Sequence, residues 1–531
     1  MDDDDRAPID HDDIHLDTRY RSPVILVRLS LLAAVTLLAA CGTVGSVCGC
    51  DDSCEATLTC TSTVTTTSSA PTCAADPADG DVASDCGIWV SATLGDDANP
   101  GTQDAPVKTL QHAVDLAAAG PSRVYACAET YFDGVEIPAG VSLSGGWTCQ
   151  DGWKLATKKQ RATIAPVHDV VPITLSGGNG TSILSDLIVR AADAQTAGGS
   201  SIALWAGDDS AAEIRRSLLQ AGAGAKGASG EHGGVQPAAA GAAGLPGAGA
   251  CTAAIGVGGL APVTMCDDGP STGGIGGDGS DAFAHSGGDG MPALGGGAGG
   301  NGEDLSPACM AGLSGTAGAD GVDGSGGLSG GSLTSTTFVG VDGLEGKPGS
   351  RAQGGGGGGA SFGGLGCGPF PKGGAGGGSG GAGGCGGKAG RGGQGGGASI
   401  AIASRSSGIA LVSVQLVAKK GGVGGNGGAG QAGGVGGLPG DGGAKYAGQP
   451  PIHAGCAGGF GGHGGLGGNG GGGAGGPSIG IAHVVGAAPA QKDVTIEVGQ
   501  GGEGGLGGVP DPALVGESGK AAQVLELGSG G

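Results

Sequence analysis

One two-part pattern occurs three times along the chain. In residues 398–420, Ile400 and Ile402 alternate with small residues, a polar turn follows at Arg405-Ser406-Ser407, and Leu411, Val412, Val414 and Leu416 form a second apolar stretch before glycine triplets begin at Gly421. Earlier, Ser201-Ile202-Ala203-Leu204 is followed by Ile214, Leu218 and Leu219, then by Ala221-Gly222 and glycine. Later, Ser478-Ile479-Gly480-Ile481 leads to Val494-Thr495-Ile496-Glu497-Val498 and Gly499. Alternation of this kind predicts half-buried strands. Its recurrence predicts stacked modules that bury their apolar faces only against one another.

Residues 86–220 carry short apolar runs between Gly, Asn, Asp and Pro, and the expected strands are 123–127, 135–137, 141–143, 163–165, 173–175, 183–189 and 201–205. Between the first strand signal, Cys86-Gly87-Ile88-Trp89-Val90-Ser91, and these runs the period changes. Leu110, Ala113, Val114 and Ala117 fall on one face of a helix, Pro106 suits its first turn, and Gly120-Pro121 stops it. Such a helix over the end of a parallel sheet would hide a strand edge that otherwise invites aggregation. An antiparallel sandwich is the rival arrangement. The lack of tight two-residue hairpins and the recurring unit favour parallel stacking.

The turn Asp96-Asp97-Ala98-Asn99-Pro100-Gly101-Thr102 and the segment Pro106-Val107-Lys108-Thr109-Leu110-Gln111-His112-Ala113 resemble the entry coil of right-handed parallel β-helix proteins of the pectin-lyase-like superfamily. The resemblance covers residues 86–220, and residues 398–418 and 478–498 match as isolated coils. It implies an all-β, right-handed parallel β-helix with an N-terminal capping helix, interrupted by long glycine-rich insertions. Within it, Ile202, Ile400 and Ile479 would stack as one interior ladder, and Leu219, Leu416 and Ile496 as another.

Composition changes the picture in the insertions. Of 531 residues 132 are Gly and 3% are aromatic, so a large share of the chain has no side chain to pack. Residues 222–397, 421–477 and 499–531 are dominated by triplets such as Gly424-Gly425-Asn426-Gly427-Gly428. They resemble the PGRS glycine-rich arrays of mycobacteria and related tracts of myxobacterial surface proteins. Two readings stand for them, a polyglycine-II-like bundle and disorder. Cys251, Cys266, Cys309, Cys367, Cys385 and Cys456 favour order, with Cys367 or Cys385 as the expected partner of Cys456.

The start of the chain points to export. After an acidic head, Arg19, Arg21 and Arg28 precede an apolar run over residues 29–40, the order of a secretory signal. Leu38-Ala39-Ala40-Cys41 resembles a bacterial lipobox, which implies Cys41 as the lipid attachment site and new amino terminus. Gly42 in place of Asp favours the outer membrane or cell surface. Setting Cys41 aside leaves an even number of cysteines, and disulfides suit an oxidising compartment better than a metal site. The expected divisions are 1–40 (acidic head and signal), 41–85 (Cys/Thr/Ser-rich tether), 86–221 (first coils), 222–397 (insertion), 398–420 (coil), 421–477 (insertion), 478–498 (coil) and 499–531 (glycine-rich tail).

The chemistry is thin. A formal charge of −23 excludes nucleic acid as a partner class and speaks first to solubility. Asp208, Asp209, Glu213, Arg215 and Arg216 have the residue types of a polysaccharide lyase, and they equally suit an exposed turn and a solvated strand face. Gly273-Gly274-Ile275-Gly276-Gly277-Asp278 begins like a calcium-binding nonapeptide, but Ser280 stands where a large apolar residue belongs. Asp96 and Asp97 are expected to hold the entry turn by side-chain to backbone bonds. No catalytic residue, metal or cofactor is expected. The expected role is structural, adhesive or ligand-binding at the surface, with a membrane contact through the lipid and a cell-surface polysaccharide or protein as partner. A polysaccharide lyase or hydrolase and a protein-binding repeat module are the alternatives.

Overall fold

Short parallel strands account for the body of the molecule. A computed structural model describes Cys73, Pro77 and residues 82–530 apart from 151, 156–159, 305–307 and 370–371. The lipobox and Cys41 lie outside the described residues. From Arg123 to Glu526 the chain passes through three sheets in a fixed cycle. Ile173–Leu175, Ser182–Ser185 and Leu187–Arg190 make one circuit, and Ser201–Ala206, Ala211–Arg215 and Leu218–Gln220 the next. Ser399–Ser404, Gly408–Val412 and Gln415–Ala418 follow, then Ser478–His483, Ala490–Lys492 and Thr495–Val498. Each strand pairs in parallel with its counterpart one circuit away. The run expected at 183–189 is two strands in two sheets, because Asp186, at φ +56°, turns the chain between them. Residues 521–526, expected in the glycine-rich tail, form the last strand of the third sheet.

The apolar ladders follow the pairing. Leu219, Leu416 and Ile496 stand in register inside the body. Ile202, Ile400 and Ile479 are also in register and buried, but they lie in a different cluster from Leu204, Ile402 and Ile481. The pairing is interrupted at Ala203, Ala401 and Gly480, and across that break the chain changes face. Ile400 therefore packs with Trp205 against Leu333 and Phe338 of the hairpin formed by Ser332–Leu333 and Phe338–Val339, while Ile402 belongs to the interior. The interior ladder is Leu204, Ile402 and Ile481, a correction to the expectation.

A helix, α1 (Leu110–Ala118), packs against the strands Ile88–Val90, Arg123–Cys127 and Val135–Ile137 at the amino-terminal end. Its buried face is Leu110, Ala113, Val114 and Ala117. Pro106 lies before the helix instead of in its first turn. The Asp97 carboxylate accepts the N–H groups of Lys108 and Thr109, keeping that stretch extended until Thr109 serves as N-cap. Asp96 likewise accepts the N–H of Ala98. Burial would raise the Asp97 pKa, but the N–H groups of Thr109 and Lys108 and the Thr109 hydroxyl outweigh it and hold the pKa low. Trp89, Tyr125, Trp147 and Trp153 form an aromatic cluster beside the Cys127–Cys149 disulfide, with Trp89 ring centroids 4.6, 5.2 and 4.8 Å from the other three.

The glycine tracts are ordered. Residues 224–247 donate to every third carbonyl of residues 420–441, as in Gly227 to Val423 at 2.9 Å and Gly230 to Asn426 at 2.7 Å, with donors three residues apart except between Gly233 and Ala238. Gly437, Gly434 and Gln431 donate to Ala382, Cys385 and Lys388, each at 2.8 Å, and Gly384, Gly387 and Gly390 donate to Gly462, Gly465 and Gly468 at 2.9–3.0 Å. A period of three is that of a polyglycine-II bundle. Glycine is required because these backbones touch: a Cβ on Gly464 would stand 2.0 Å from the Cys385 carbonyl oxygen. Ser201, Ser399 and Ser478, stacked in register, hold the tracts where they meet the sheets. The Ser201 hydroxyl accepts the Gly222 N–H at 2.8 Å, Ser399 donates to the Gly222 carbonyl at 2.6 Å, and Ser478 accepts the Gly499 N–H at 3.0 Å.

Three disulfides tie the tracts together: Cys251–Cys367, Cys266–Cys385 and Cys309–Cys456. The partner of Cys456 is thus Cys309, which links two tracts, and Cys367 and Cys385 are taken by Cys251 and Cys266 of their own insertion. Pairing cannot be read from spacing. Separations of 116, 119 and 147 residues let each bond restrict the unfolded chain by about 5 kcal/mol on a loop-entropy estimate. That offsets part of the ordering cost of a glycine backbone.

Three outcomes follow from this packing. Ile400→Asp, which buries an unpaired charge against Phe338, should cost on the order of 4 kcal/mol in a denaturant titration; an unchanged midpoint would mean the ladder is not buried. Gly464→Ala should cost roughly 1–3 kcal/mol by overpacking, whereas His463→Ala, at an exposed neighbour, should change stability by less than about 0.5 kcal/mol. The Asp97 pKa is depressed by folding, so its contribution is present above the unfolded carboxylate pKa of about 4 and lost as pH falls through the folded value. Asp97→Asn should lower Tm at neutral pH, and the gap from wild type should close in strong acid.

Candidate functional site

The charged group on the sheet body occupies one turn and the strand that follows it. Asp208 and Asp209 sit in the turn between Ser201–Ala206 and Ala211–Arg215, with Asp209 at φ +56°. Asp208 receives Arg405 Nε of the next circuit at 3.1 Å. Glu213 pairs with Arg215 of its own strand at 2.8 Å. Arg216 grips Asp186 of the preceding circuit with two nitrogens, at 3.0 and 2.7 Å. Asp208, Glu213 and Asp186 each face a cation along partly solvated surface, and these pairs tie strands and circuits together.

Asp278 and Ser280 have backbone partners, and Asp193 binds both backbone and a side chain of a later circuit. Asp278 accepts the Gly258 N–H at 2.7 Å, and the Ser280 hydroxyl accepts the N–H groups of Ala282 and Phe283. Asp193 takes the Ala223 N–H and the Lys419 ammonium, each within 2.9 Å, and both lower its pKa, the N–H the more. Arg405 also donates to the Leu333 carbonyl at 2.7 Å, fixing the hairpin over the Ile400 ladder. Among the described residues, no group of three or more His, Cys, Asp or Glu is placed to hold a metal ion.

The far end of the glycine bundle has a different character. Strands leave the sheets after Gln220 and Ala418 and return at Ser399 and Ser478. At about 3.1 Å per residue, the run from Gly224 to Gly247 carries the chain roughly 70 Å outward. Along the outer half lie the three disulfides and every methionine after the first. Met265, Met291 and Met310 are 73%, 51% and 57% exposed. Phe283 stacks on His285 with centroids 4.4 Å apart, and Glu303 meets His453 at 2.6 Å. Exposed Met and aromatic side chains on a cross-linked frame make adaptable contact surface. They supply no nucleophile, base and orienter in one place. Sequence reasoning did not single out this region; the clustering of Met and Cys in residues 251–310 was the available signal.

An open cleft of about 610 Å³ lies where the carboxy-terminal glycine strand turns back, lined by Leu506, Val509, Pro510, Asp511, Pro512 and Val515. It holds a single titratable side chain, Asp511.

No protein family and no curated protein matches the chain. Among solved structures, a rhamnogalacturonan lyase is similar over 25% of this chain and 36% of its own length, at 12% identity and a TM-score of 0.13. The chain thus spans about a third of that enzyme, and a likeness this slight carries no argument about activity.

Proposed function

We propose that the protein is an exported, lipid-anchored component of the cell surface with a structural or adhesive, non-catalytic role, and that its three sheets wind as a right-handed parallel β-helix. The handedness rests on the rule that parallel strands joined by crossovers are right-handed in nearly all cases. The functional reading rests on one observation: a cross-linked glycine bundle projects roughly 70 Å from the sheets and carries exposed Met and aromatic side chains on its outer half. A rod of that kind suits reach and contact. Anchoring rests on Leu38-Ala39-Ala40-Cys41, and the partner is a surface polysaccharide or protein. The ion pairs that Asp208, Glu213 and Arg216 make with Arg405, Arg215 and Asp186 support a stabilising role for those residues.

Cys41→Ser should abolish lipid labelling and move the protein from the membrane fraction to the soluble one. Intact cells making the wild-type chain should be labelled by an impermeant amine reagent at Lys388 and Lys445, and pectic substrates should yield no unsaturated product. Unchanged fractionation of the mutant, or lyase turnover by the purified protein, would contradict the reading.

A further inference from the structure

Two neighbouring glycine strands, residues 421–443 and 456–476, form a groove that is filled for only part of its length. In the filled part Gly421, Gly424 and Gly427 donate to the carbonyls of Gln500, Glu503 and Leu506 at 2.9, 2.9 and 2.8 Å. On the other wall Gly502, Gly505 and Gly508 donate to the carbonyls of Gly476, Gly473 and Gly470 at 2.8, 2.8 and 2.9 Å. Residues 500–508 thus lie in the groove as a third strand. The chain then turns away at Val509-Pro510.

The groove itself goes on unchanged. Its floor is measured by the approach of one wall to the other. A Cβ on Gly421, Gly424 or Gly427 would stand 1.9, 2.0 or 2.1 Å from the carbonyl oxygens of Gly476, Gly473 and Gly470. On Gly430, Gly433 or Gly436 it would stand 1.9, 2.0 or 1.9 Å from those of Gly467, Gly464 and Gly461. In this continuation the Asn469 side chain accepts the Gly430 N–H at 3.0 Å. Among the described residues nothing accepts the N–H of Gly433 or Gly436, and nothing donates to the carbonyls of Gly461, Gly464 or Gly467. Pro439, which has no N–H, closes the row of donors. Val435, Leu438, Phe460 and Leu466, all more than half exposed, stand along its edges.

We propose that this open stretch is a docking slot for an extended, glycine-repeat strand of another polypeptide, which continues the track begun by residues 500–508. The occupant's chemistry follows from the walls. A Cβ on Gly502, Gly505 or Gly508 would meet the carbonyls of Gly422, Gly425 and Gly428 within 2.2 Å, so the strand needs glycine at that position of each triplet. The other glycine, as at Gly504, faces Gly516 of a strand that begins near residue 513 and does not flank the open part. One glycine in three therefore suffices, the Gly-X-Y class of sequence. The open row holds two free donors and three free acceptors at the period of such a strand, as an open sheet edge does for a β-strand. This inference needs neither the lipid anchor nor the surface location.

The test uses the detergent-solubilised full chain and a synthetic peptide repeating Gly-Gly-Glu-Gly-Gly-Leu, the sequence of residues 501–506. Hydrogen exchange read by NMR should show the Gly433 and Gly436 amides slowing by about tenfold or more on adding peptide. The already bonded Gly434 and Gly437 should change little. A peptide with every glycine replaced by alanine should give no protection. Val435→Arg with Leu466→Arg, at exposed positions that leave the bundle intact, should weaken the peptide's effect at least about tenfold, with the melting temperature showing that the bundle has folded. Unchanged exchange at Gly433 and Gly436 under saturating peptide, or equal protection by the alanine peptide, would overturn the proposal.

Discussion

The contact of a backbone carbonyl with the Cα of a neighbouring strand is the constraint on which the rest of the molecule depends. It leaves no room for Cβ, and it sets the glycine count of each strand by how many neighbours that strand has. Residues 224–233, at an outer corner, carry glycine once per triplet at 224, 227, 230 and 233. Residues 421–437, bonded to strands from 224–247, 382–397 and 461–476, carry it twice in every triplet except 430–432. Gly354 to Gly359, enclosed on all sides and fully buried, are six glycines in a row. Where an interior strand does carry a side chain it is small and buried, as at Ser379, Ala382 and Cys385. The same strand carries Lys388 and Arg391 where it reaches the surface. Position in the bundle is thus encoded as a triplet register, with amide–carbonyl bonds in place of a hydrophobic core.

The bundle and the sheets are interdependent. Each glycine excursion starts and ends at consecutive circuits of the sheets, so the parallel register of Ser201, Ser399 and Ser478 also aligns the strands that leave them. Their buried hydroxyls satisfy backbone groups at the junction, where neither the sheet nor the bundle pattern supplies a partner. In return, the hairpin at 332–339 comes back from the bundle to cover the outward ladder of Ile202, Ile400 and Ile479. Removing the excursions would expose that ladder to water.

Much of the sheet body was legible in the sequence. The strands 123–127, 135–137 and 173–175 match to the residue, and the ladder Leu219–Leu416–Ile496 stands in register as the resemblance implied. What failed had local causes. Ile400 and Ile402 look equivalent by alternation, yet an interruption at Ala401 sends them to opposite faces, and no polar residue marks the break. Pro106 fits a helix start by type, but Asp97 captures the amides that follow it. Order in the glycine tracts was undecided, since glycine has no hydrophobic period to read; the register of the third residue in each triplet holds that information. At the candidate site, the types of Asp208, Glu213 and Arg216 were legible but not their partners Arg405, Arg215 and Asp186, and the exposed methionines drew no notice because they follow no period.

Amide hydrogen exchange across residues 456–476 tests the ordered bundle most directly. Gly461, Gly462, Gly464, Gly465, Gly467 and Gly468 each donate to a neighbouring strand, while the Phe460 and His463 amides have no backbone acceptor among the described residues. The account predicts slow exchange at these six glycines and at Leu466, whose N–H is held by the Asp320 carboxylate, with fast exchange at Phe460 and His463. Uniform exchange at random-coil rates would contradict it, and would leave the sheets alone as the folded unit.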